Sequence, residues 1–291
     1  MEVGLRQPAC SRTGELFPSG RRCLVMGILN VTPDSFSDGG RFFDRGQAVD
    51  HALAMEQAGA DIIDIGGEST RPGSASVSAS EQKQRVLPVL ESLRAQSSAL
   101  VSIDTTSAAV AAAALDAGAD LVNDTSALRD DPAMASLAAL RGVPVVLMHR
   151  QGRPRTMQRA PHYTDVVADV RDFLAARREA AAAAGVDPGQ VILDPGFGFG
   201  KTAEHNLALL ANLSEIVALG APVLVGFSRK STIGKVLDLP VGERLAGSLA
   251  AAALAVAAGA RIVRAHDVPE TVRAVRMAEA VIAHRRGESG S

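Results

Sequence analysis

Polar side chains that could do chemistry follow short apolar runs throughout this sequence. Such groups stand at eight run ends: Asn30, Glu68, Asp104, Asn123 with Asp124, His149, Asp194, Ser228 with Arg229 and Lys230, and Arg264 with His266. A single strand-end carboxylate is most often a cap for the following helix. The same coincidence at every run predicts instead that these side chains share one polar site.

Residues 226–234 (GFSRKSTIG) have the composition of an anion site. Ser228, Lys230 and Ser231 stand where a helix is predicted to begin, and free backbone N–H groups beside a cation bind anions. A helix cap with solvated basic residues is the alternative interpretation of the same residues.

Residues 194–202 (DPGFGFGKT) are close to a nucleotide phosphate loop but do not match it. That motif needs four residues between its first glycine and the Gly-Lys-Ser/Thr triplet. Pro195 occupies the required position, and Gly196 is one residue too near. We therefore do not predict a nucleotide at this loop.

Two loops rich in turn-forming residues follow the first two apolar runs. Residues 31–44 contain Asp38, and residues 67–78 contain Thr70 and Arg71. Long structured loops beside a site are usually lids. A lone loop arginine is usually only solvated, but two such loops on neighbouring strands could close together over a ligand.

The elements that position these residues alternate between strands and helices. The predicted strands are the apolar runs at residues 23–30, 61–67, 100–104, 121–124, 143–149, 191–196, 222–228 and 262–267. Helical patterns lie between them, at residues 47–58, 107–117, 164–184, 203–219 and 244–258. At several junctions a glycine ends the helix and a β-branched run follows, as in a parallel sheet.

This alternation predicts an α/β fold, a single-domain (β/α)8 TIM barrel, with the site at the carboxyl ends of the strands. The barrel is expected over residues 23–284, between a loose N-terminal extension at 1–22 and a tail at 285–291. An open doubly wound sheet is the alternative, but no glycine-rich dinucleotide fingerprint follows the first strand.

Composition narrows the class of partner. The chain has 291 residues and a formal net charge of −2, so it is too weakly charged to follow a polyanion. Its two cysteines, Cys10 and Cys23, are too few for a disulfide framework. No apolar run reaches the ~20 residues of a membrane span. We predict a cytoplasmic protein without nucleic-acid or membrane partners.

The motifs at the strand ends carry a family resemblance. In chain order, LNVTPDSFSDGG, GGESTRPG, SIDT, NDTSAL, LMHRQG, LDPGFGFGKT, GFSRKS and RAHDV resemble the dihydropteroate synthases of folate biosynthesis. The resemblance runs from about residue 23 to the last helix, and it is the combination that is specific. It implies condensation of 6-hydroxymethyl-7,8-dihydropterin diphosphate with 4-aminobenzoate, giving 7,8-dihydropteroate and diphosphate, with Mg²⁺ as the cofactor.

The resemblance also implies the residues that bind the pterin. Asp104, Asn123, Asp194 and Lys230 are the expected set, because a guanine-like edge needs a carboxylate acceptor beside a cationic or amide donor. Asp104 would also stabilise positive charge as the diphosphate leaves. An isolated inward Asp is equally often a structural cap, so the resemblance carries most of this assignment.

The diphosphate is expected to meet Arg264 and His266, with Asn30 on the metal side. A neutral asparagine oxygen suits an Mg²⁺ held mainly by phosphate and water. Alone, a strand-end histidine is more often a hydrogen-bonded structural residue, but its spacing from Arg264 puts both on one strand face. The implied catalytic set is Asp38, Asp104, Lys230, Arg264 and His266.

The second substrate is an aromatic amine with a carboxylate, which needs an anion site and an apolar wall. The resemblance assigns these to Ser231, to Phe199 and to the loop residues Thr70, Arg71 and Pro72. The amine is already nucleophilic, so the protein needs mainly to position it and to exclude water. Members of the family form homodimers, and we expect a homodimer here.

Two departures and two alternative functions stand beside this interpretation. Arg150 and Ala265 occupy positions where the family often has Met and Val. A folate-dependent methyltransferase barrel would keep the Asp, Asn and Asp strand ends but lack the anion-binding residues present here. A catalytically silent paralogue acting as a binding protein would not need Asn30, Asp38 and the loop residues Thr70 and Arg71.

Overall fold

Eight parallel strands form a closed barrel. The computed structural model describes residues 22–32, 45–68, 77–152, 156–285 and 287. The strands are β1 (Leu24–Asn30), β2 (Ile62–Gly66), β3 (Leu100–Asp104), β4 (Leu121–Asp124), β5 (Val145–Met148), β6 (Val191–Asp194), β7 (Leu224–Val225) and β8 (Ile262–Ala265). They pair in the order β6-β5-β4-β3-β2-β1-β8-β7, and a parallel bridge between Leu193 and Val223 joins the two ends of this order. The predicted eight-stranded barrel is confirmed.

The helices lie between successive strands and cover the outside of the barrel. Those described are α1 (Arg45–Gln57), α2 (Ala79–Arg94), α3 (Ala108–Asp116), α4 (Ala133–Arg141), α5 (Val166–Ala183), α6 (Ala203–Ala211), α7 (Leu213–Val217), α8 (Ser231–Leu237), α9 (Leu245–Ala257) and α10 (Val268–Arg285). Local sequence sets their ends: the Ser78 side chain caps α2 by accepting from the Glu81 N–H, and Gly142, with a φ of 60°, ends α4.

Because side chains alternate along each strand, the barrel has an apolar layer outside, against the helices, and both an apolar and a polar layer inside. Outward residues such as Val25, Ile63 and Val101 pack against the helices. Inward residues form a separate buried cluster in the barrel: Leu24, Met26, Ile62, Leu121, Val146, Ile192, Leu224 and Ile262. Because side chains alternate along a strand, the next inward positions are polar: Asp64, Asn123, Asp194 and Arg264. The barrel interior therefore becomes polar toward the carboxyl ends of its strands.

Several element bounds differ from the sequence expectation. The seventh strand was expected at residues 222–228, but only Leu224–Val225 pairs as a strand. The helix expected over 203–219 is broken at Asn212, whose side chain donates to the Ala208 carbonyl. The last helix ends at Arg285, one residue past the predicted end of the domain.

Within the described residues, no helix has the length and hydropathy required to cross a membrane.

Candidate active site

A buried ion-pair network crosses the polar layer of the barrel. Arg264 on β8 donates from Nε to Asp64 Oδ2 on β2 (2.6 Å) and from Nη2 to Asp104 Oδ2 on β3 (2.9 Å). Asn123 on β4 donates from Nδ2 to the same Asp64 oxygen (3.1 Å). Arg264 and Asp64 together thus join four strands, and the predicted residues Asp104, Asn123 and Arg264 are brought together.

Asp64 is a member of this network that sequence reasoning missed. Its side chain is fully buried, and it is the acceptor for both Arg264 and Asn123. The signal was present in the sequence, because this carboxylate interrupts an apolar run two residues after an inward-facing Ile62. A charged residue at an inward strand position needs a partner inside the barrel, and β8 supplies it.

Some atoms of this layer lack a partner among the described residues. They are Asp64 Oδ1, Asn123 Oδ1 and the hydroxyl of Ser102, which faces Asp64 across the β2–β3 pair. Buried polar atoms without a hydrogen bond are costly. Their concentration at one level of the barrel indicates a place where a polar ligand or water is bound.

The electrostatics of Asp104 are set by its burial. Burial first, and then the neighbouring Asp64, raise the pKa of Asp104 to about 7, although Arg264 opposes the shift. The carboxyl therefore titrates close to neutral pH instead of near its ordinary value. A group poised in this way is typical of functional sites.

The structure brings Asp194 and Lys230 together. Burial raises the pKa of Asp194, and the Lys230 charge opposes this. The Asp194 carboxylate accepts from the Gly196 N–H (2.7 Å). Burial lowers the pKa of Lys230 to about 8, against the attraction of Asp194. The Lys230 ammonium donates to the Phe197 carbonyl and lies 4.7 Å from the centre of the Phe199 ring.

Three further predicted residues, Asn30, Ser231 and His266, stand at strand ends or at the start of the following helix. Asn30 ends β1, and its Oδ1 and the Asp104 carboxylate both lie beside Gly66. Ser231 begins α8 and is exposed. His266 Nδ1 lies 3.0 Å from the Ser228 hydroxyl. Asp38, Thr70, Arg71 and Pro72 lie outside the described residues.

Three other strand-end residues hold backbone or loops instead of facing the mouth. Asp124 accepts from the Ser126 and Leu128 N–H groups (2.7 and 2.9 Å) and so closes the turn after β4. Glu68 accepts from Gln82 Nε2 (2.9 Å) and fixes the start of α2. Arg150, whose orientation the sequence left open, is buried and pairs with Asp130 (2.6 Å).

The described residues contain no cluster of three or more His, Cys, Asp or Glu that could hold a metal alone. Asn30 and the adjacent Asp104 offer hard oxygen donors, which are the type that Mg²⁺ prefers. This set suits an ion that takes most of its ligands from a bound substrate and water.

Comparison with known proteins agrees with this geometry. The family described as pterin binding enzyme matches residues 26–266. A dihydropteroate synthase of Synechocystis sp. is 49% identical over 267 residues, covering 91% of this chain and 92% of the relative. Two solved Xanthomonas albilineans dihydropteroate synthases cover 90% of this chain and 94% of their own. The complex with 4-aminobenzoic acid has a TM-score of 0.85 at 49% identity, and that with 7,8-dihydropteroate 0.81 at 46%. This chain belongs to the dihydropteroate synthase family of pterin-binding enzymes.

Proposed function

We propose that the protein condenses 6-hydroxymethyl-7,8-dihydropterin diphosphate with 4-aminobenzoate, releasing diphosphate and forming 7,8-dihydropteroate. The observation that carries the proposal is the convergence of Asp104, Asn123, Asp194, Lys230 and Arg264 at one mouth of the barrel. Similar proteins bind 4-aminobenzoic acid and 7,8-dihydropteroate.

The pterin is recognised through its guanine-like edge. Asp194 accepts from the exocyclic amine and the ring N–H, and Lys230 donates to the acceptors of the ring. Asn123 has a buried Oδ1 without a partner among the described residues, which makes it an acceptor available to the pterin. Asp64 is a positioning residue, because it holds both Asn123 and Arg264.

The reaction proceeds by ionisation of the pterin diphosphate. The bond between the pterin methylene carbon and the diphosphate oxygen breaks, and its electron pair leaves with the diphosphate. The lone pair of the 4-aminobenzoate nitrogen then forms the new C–N bond, and that nitrogen loses a proton to water. The Asp104 carboxylate stabilises the cationic pterin, while Arg264 and His266 bind the departing anion.

Mg²⁺ is the cofactor of this proposal. Asn30 would hold the ion from the protein side. When bound, the metal supplies positive charge that stabilises the leaving diphosphate. The argument for it is chemical: a diphosphate carries more negative charge than Arg264 and His266 can balance.

The 4-aminobenzoate pocket lies on the Lys230 side of the mouth. Phe199 is partly exposed beside Lys230 and forms an apolar wall. Ser231 is exposed at the start of α8 and meets the substrate carboxylate. Thr70, Arg71 and Pro72, which lie outside the described residues, are assigned to the same pocket by the family resemblance.

We also propose a homodimer. Large apolar side chains are exposed on α9 and α10, which pack against each other: Leu254 is 61% exposed and Met277 67%. Burial of such a surface in a second copy removes apolar area from water. Sedimentation velocity should give twice the 30.1 kDa chain mass, and Met277→Glu should shift the protein to monomer.

A cytoplasmic location likewise stays a prediction. It rests on the low cysteine content of the sequence. Within the described residues Cys23 is a buried free thiol, and burial raises its pKa to about 12.

The decisive test is diphosphate release from the pterin diphosphate with Mg²⁺, with and without 4-aminobenzoate, together with detection of dihydropteroate. Formation of dihydropteroate in step with diphosphate establishes the activity. Tight pterin binding without diphosphate release would refute it and favour the silent binding protein. Methyl transfer from a methylated folate without diphosphate chemistry would favour the methyltransferase.

A further inference from the structure

Lys201, the lysine of the DPGFGFGKT segment, is buried and folded back onto its own loop. Its side chain is only 3% exposed. The amino group donates to the Gly196 carbonyl (2.9 Å) and the Phe199 carbonyl (3.3 Å), and its Nζ lies 2.8 Å from His149 Nδ1. Burial lowers the pKa of Lys201 well below its ordinary value, and these contacts within the protein engage the amino group. The phosphate-loop interpretation of this lysine is therefore excluded by its contacts as well as by its spacing.

His149 links this lysine to the end of β5. Burial first, and then the Lys201 charge, lower the pKa of His149 to about 2, so its ring is neutral. The neutral ring and the Lys201 amino group are joined by one hydrogen bond at Nδ1. An edge contact with Phe173, 4.8 Å between ring centres, fixes the plane of the ring.

The 196–200 loop, which Lys201 contacts, has a conformationally permissive backbone because every second residue is glycine. Gly196, Gly198 and Gly200 have φ values of 67°, 79° and 67°, and a Cβ at Gly196 would overlap the His149 carbonyl oxygen. Glycine permits this close approach but loses the most conformational entropy when it is ordered. A loop of alternating glycines therefore needs tethers, and Lys201 bonds two of its carbonyls.

The two phenylalanines of the loop depend on this tether to different degrees. Phe197 is 1% exposed and packs on Phe227, 4.9 Å between ring centres. Its carbonyl, which accepts from Lys230, is therefore held by the core. Phe199 is partly exposed between two glycines, and its carbonyl is bonded directly by Lys201.

We propose that Lys201 and His149 are positioning residues for the amine substrate, because they hold the 196–200 loop so that Phe199 forms the wall of the 4-aminobenzoate pocket. This inference rests on the proposed function. It predicts a selective effect, since the pterin side of the site keeps its anchor at Phe197.

The test is steady-state kinetics of Lys201→Met in the full chain, with each substrate varied in turn. Loss of these buried hydrogen bonds should raise the KM for 4-aminobenzoate about tenfold or more. The KM for the pterin diphosphate and the kcat should change by less than about threefold. Lys235→Met is the matched control, because the same change is made at an exposed position on α8, and it should leave both KM values at the wild-type level.

A second variant covers the case in which Lys201→Met does not fold. His149→Phe removes the Nδ1 hydrogen-bond partner but keeps an aromatic ring against Phe173, and it should give the same selective rise in the amine KM. A folded variant with a wild-type KM for the amine overturns the proposal. Equal increases in both KM values also overturn it, because they indicate a general structural role. An inactive wild-type protein would instead refute the proposed function.

Discussion

Asp64→Asn removes the charge that anchors Arg264 and changes the volume at that position very little. The Arg264 Nε–Asp64 Oδ2 bond is 2.6 Å long and lies where Asp64 is fully buried. A hydrogen bond between charged groups contributes about 1.5–3 kcal/mol. If this contribution is lost in the transition state, kcat/KM for the pterin diphosphate should fall by about 10- to 150-fold.

The same substitution has a second effect with a definite sign. The Asp64 charge is the largest cause after burial of the raised pKa of Asp104. Removing that charge makes ionisation of Asp104 easier, so the pKa of Asp104 falls. If the ionised carboxylate is the active form, the acid limb of the kcat/KM profile moves to lower pH in the variant.

The assay is continuous diphosphate release with 4-aminobenzoate present, measured across neutral pH. Asp120→Asn is a matched control, because Asp120 is also buried and ion-paired, with Arg94, but stands before β4 at the opposite end of the barrel. The control should lower thermal stability and leave the acid limb in place. A folded Asp64→Asn protein whose acid limb is unchanged, or moves to higher pH, would refute the assigned coupling.

Three further predictions address the same mouth. Arg264→Ala should slow diphosphate release more than it weakens pterin binding, which single-turnover kinetics and calorimetry separate; an unchanged turnover removes Arg264 from the anion site. Asp194→Asn should weaken pterin binding, because an amide cannot accept from both N–H groups, and wild-type affinity by calorimetry contradicts this. The pKa of Asp104 is raised on folding from 3.8 to about 7, so the native state binds its proton more tightly, and stability should fall as pH rises through that interval. Denaturant unfolding on both sides of it should show a smaller pH dependence in Asp104→Asn, and an equal one would exclude Asp104 as the source.

The sequence predicts the barrel and much of its mouth because both depend on local patterns. Strand ends such as Asp104 and Asp194 follow apolar runs, and strand alternation alone puts them inside the barrel. The bounds of β7, in contrast, cannot be predicted from local hydropathy. Phe227 is apolar and buried without belonging to the strand, so hydropathy cannot separate paired backbone from coil that packs in the core.

Contacts between distant strands are the other part that the sequence does not specify. Asp64 and Arg264 are separated by 200 positions, and nothing local indicates that this carboxylate, and not Asp194, receives the guanidinium Nε. For Lys201 the local sequence is misleading instead of silent. Its motif indicates an anion site, but its amino group contacts a carbonyl oxygen of the loop and His149.

The partners of Arg264 bear on how the diphosphate is held and released. A guanidinium carries five N–H donors. Asp64 and Asp104 take one each, so three are not used by side chains of the part of the chain that the structure describes and are available to phosphate oxygens. The two carboxylates also offset its positive charge, so Arg264 attracts the anion less strongly than a free cation would. The same carboxylates favour the cation that forms on the pterin. Stabilisation of the cation promotes ionisation, and the weaker attraction of Arg264 eases departure of the diphosphate afterwards. A diphosphate held this way depends on additional positive charge for its binding and for stabilisation as it leaves. Activity that is lost on removal of Mg²⁺ with EDTA and restored by adding Mg²⁺ back is the expected result, whereas full activity in EDTA would show that Arg264 and His266 hold the diphosphate without a metal.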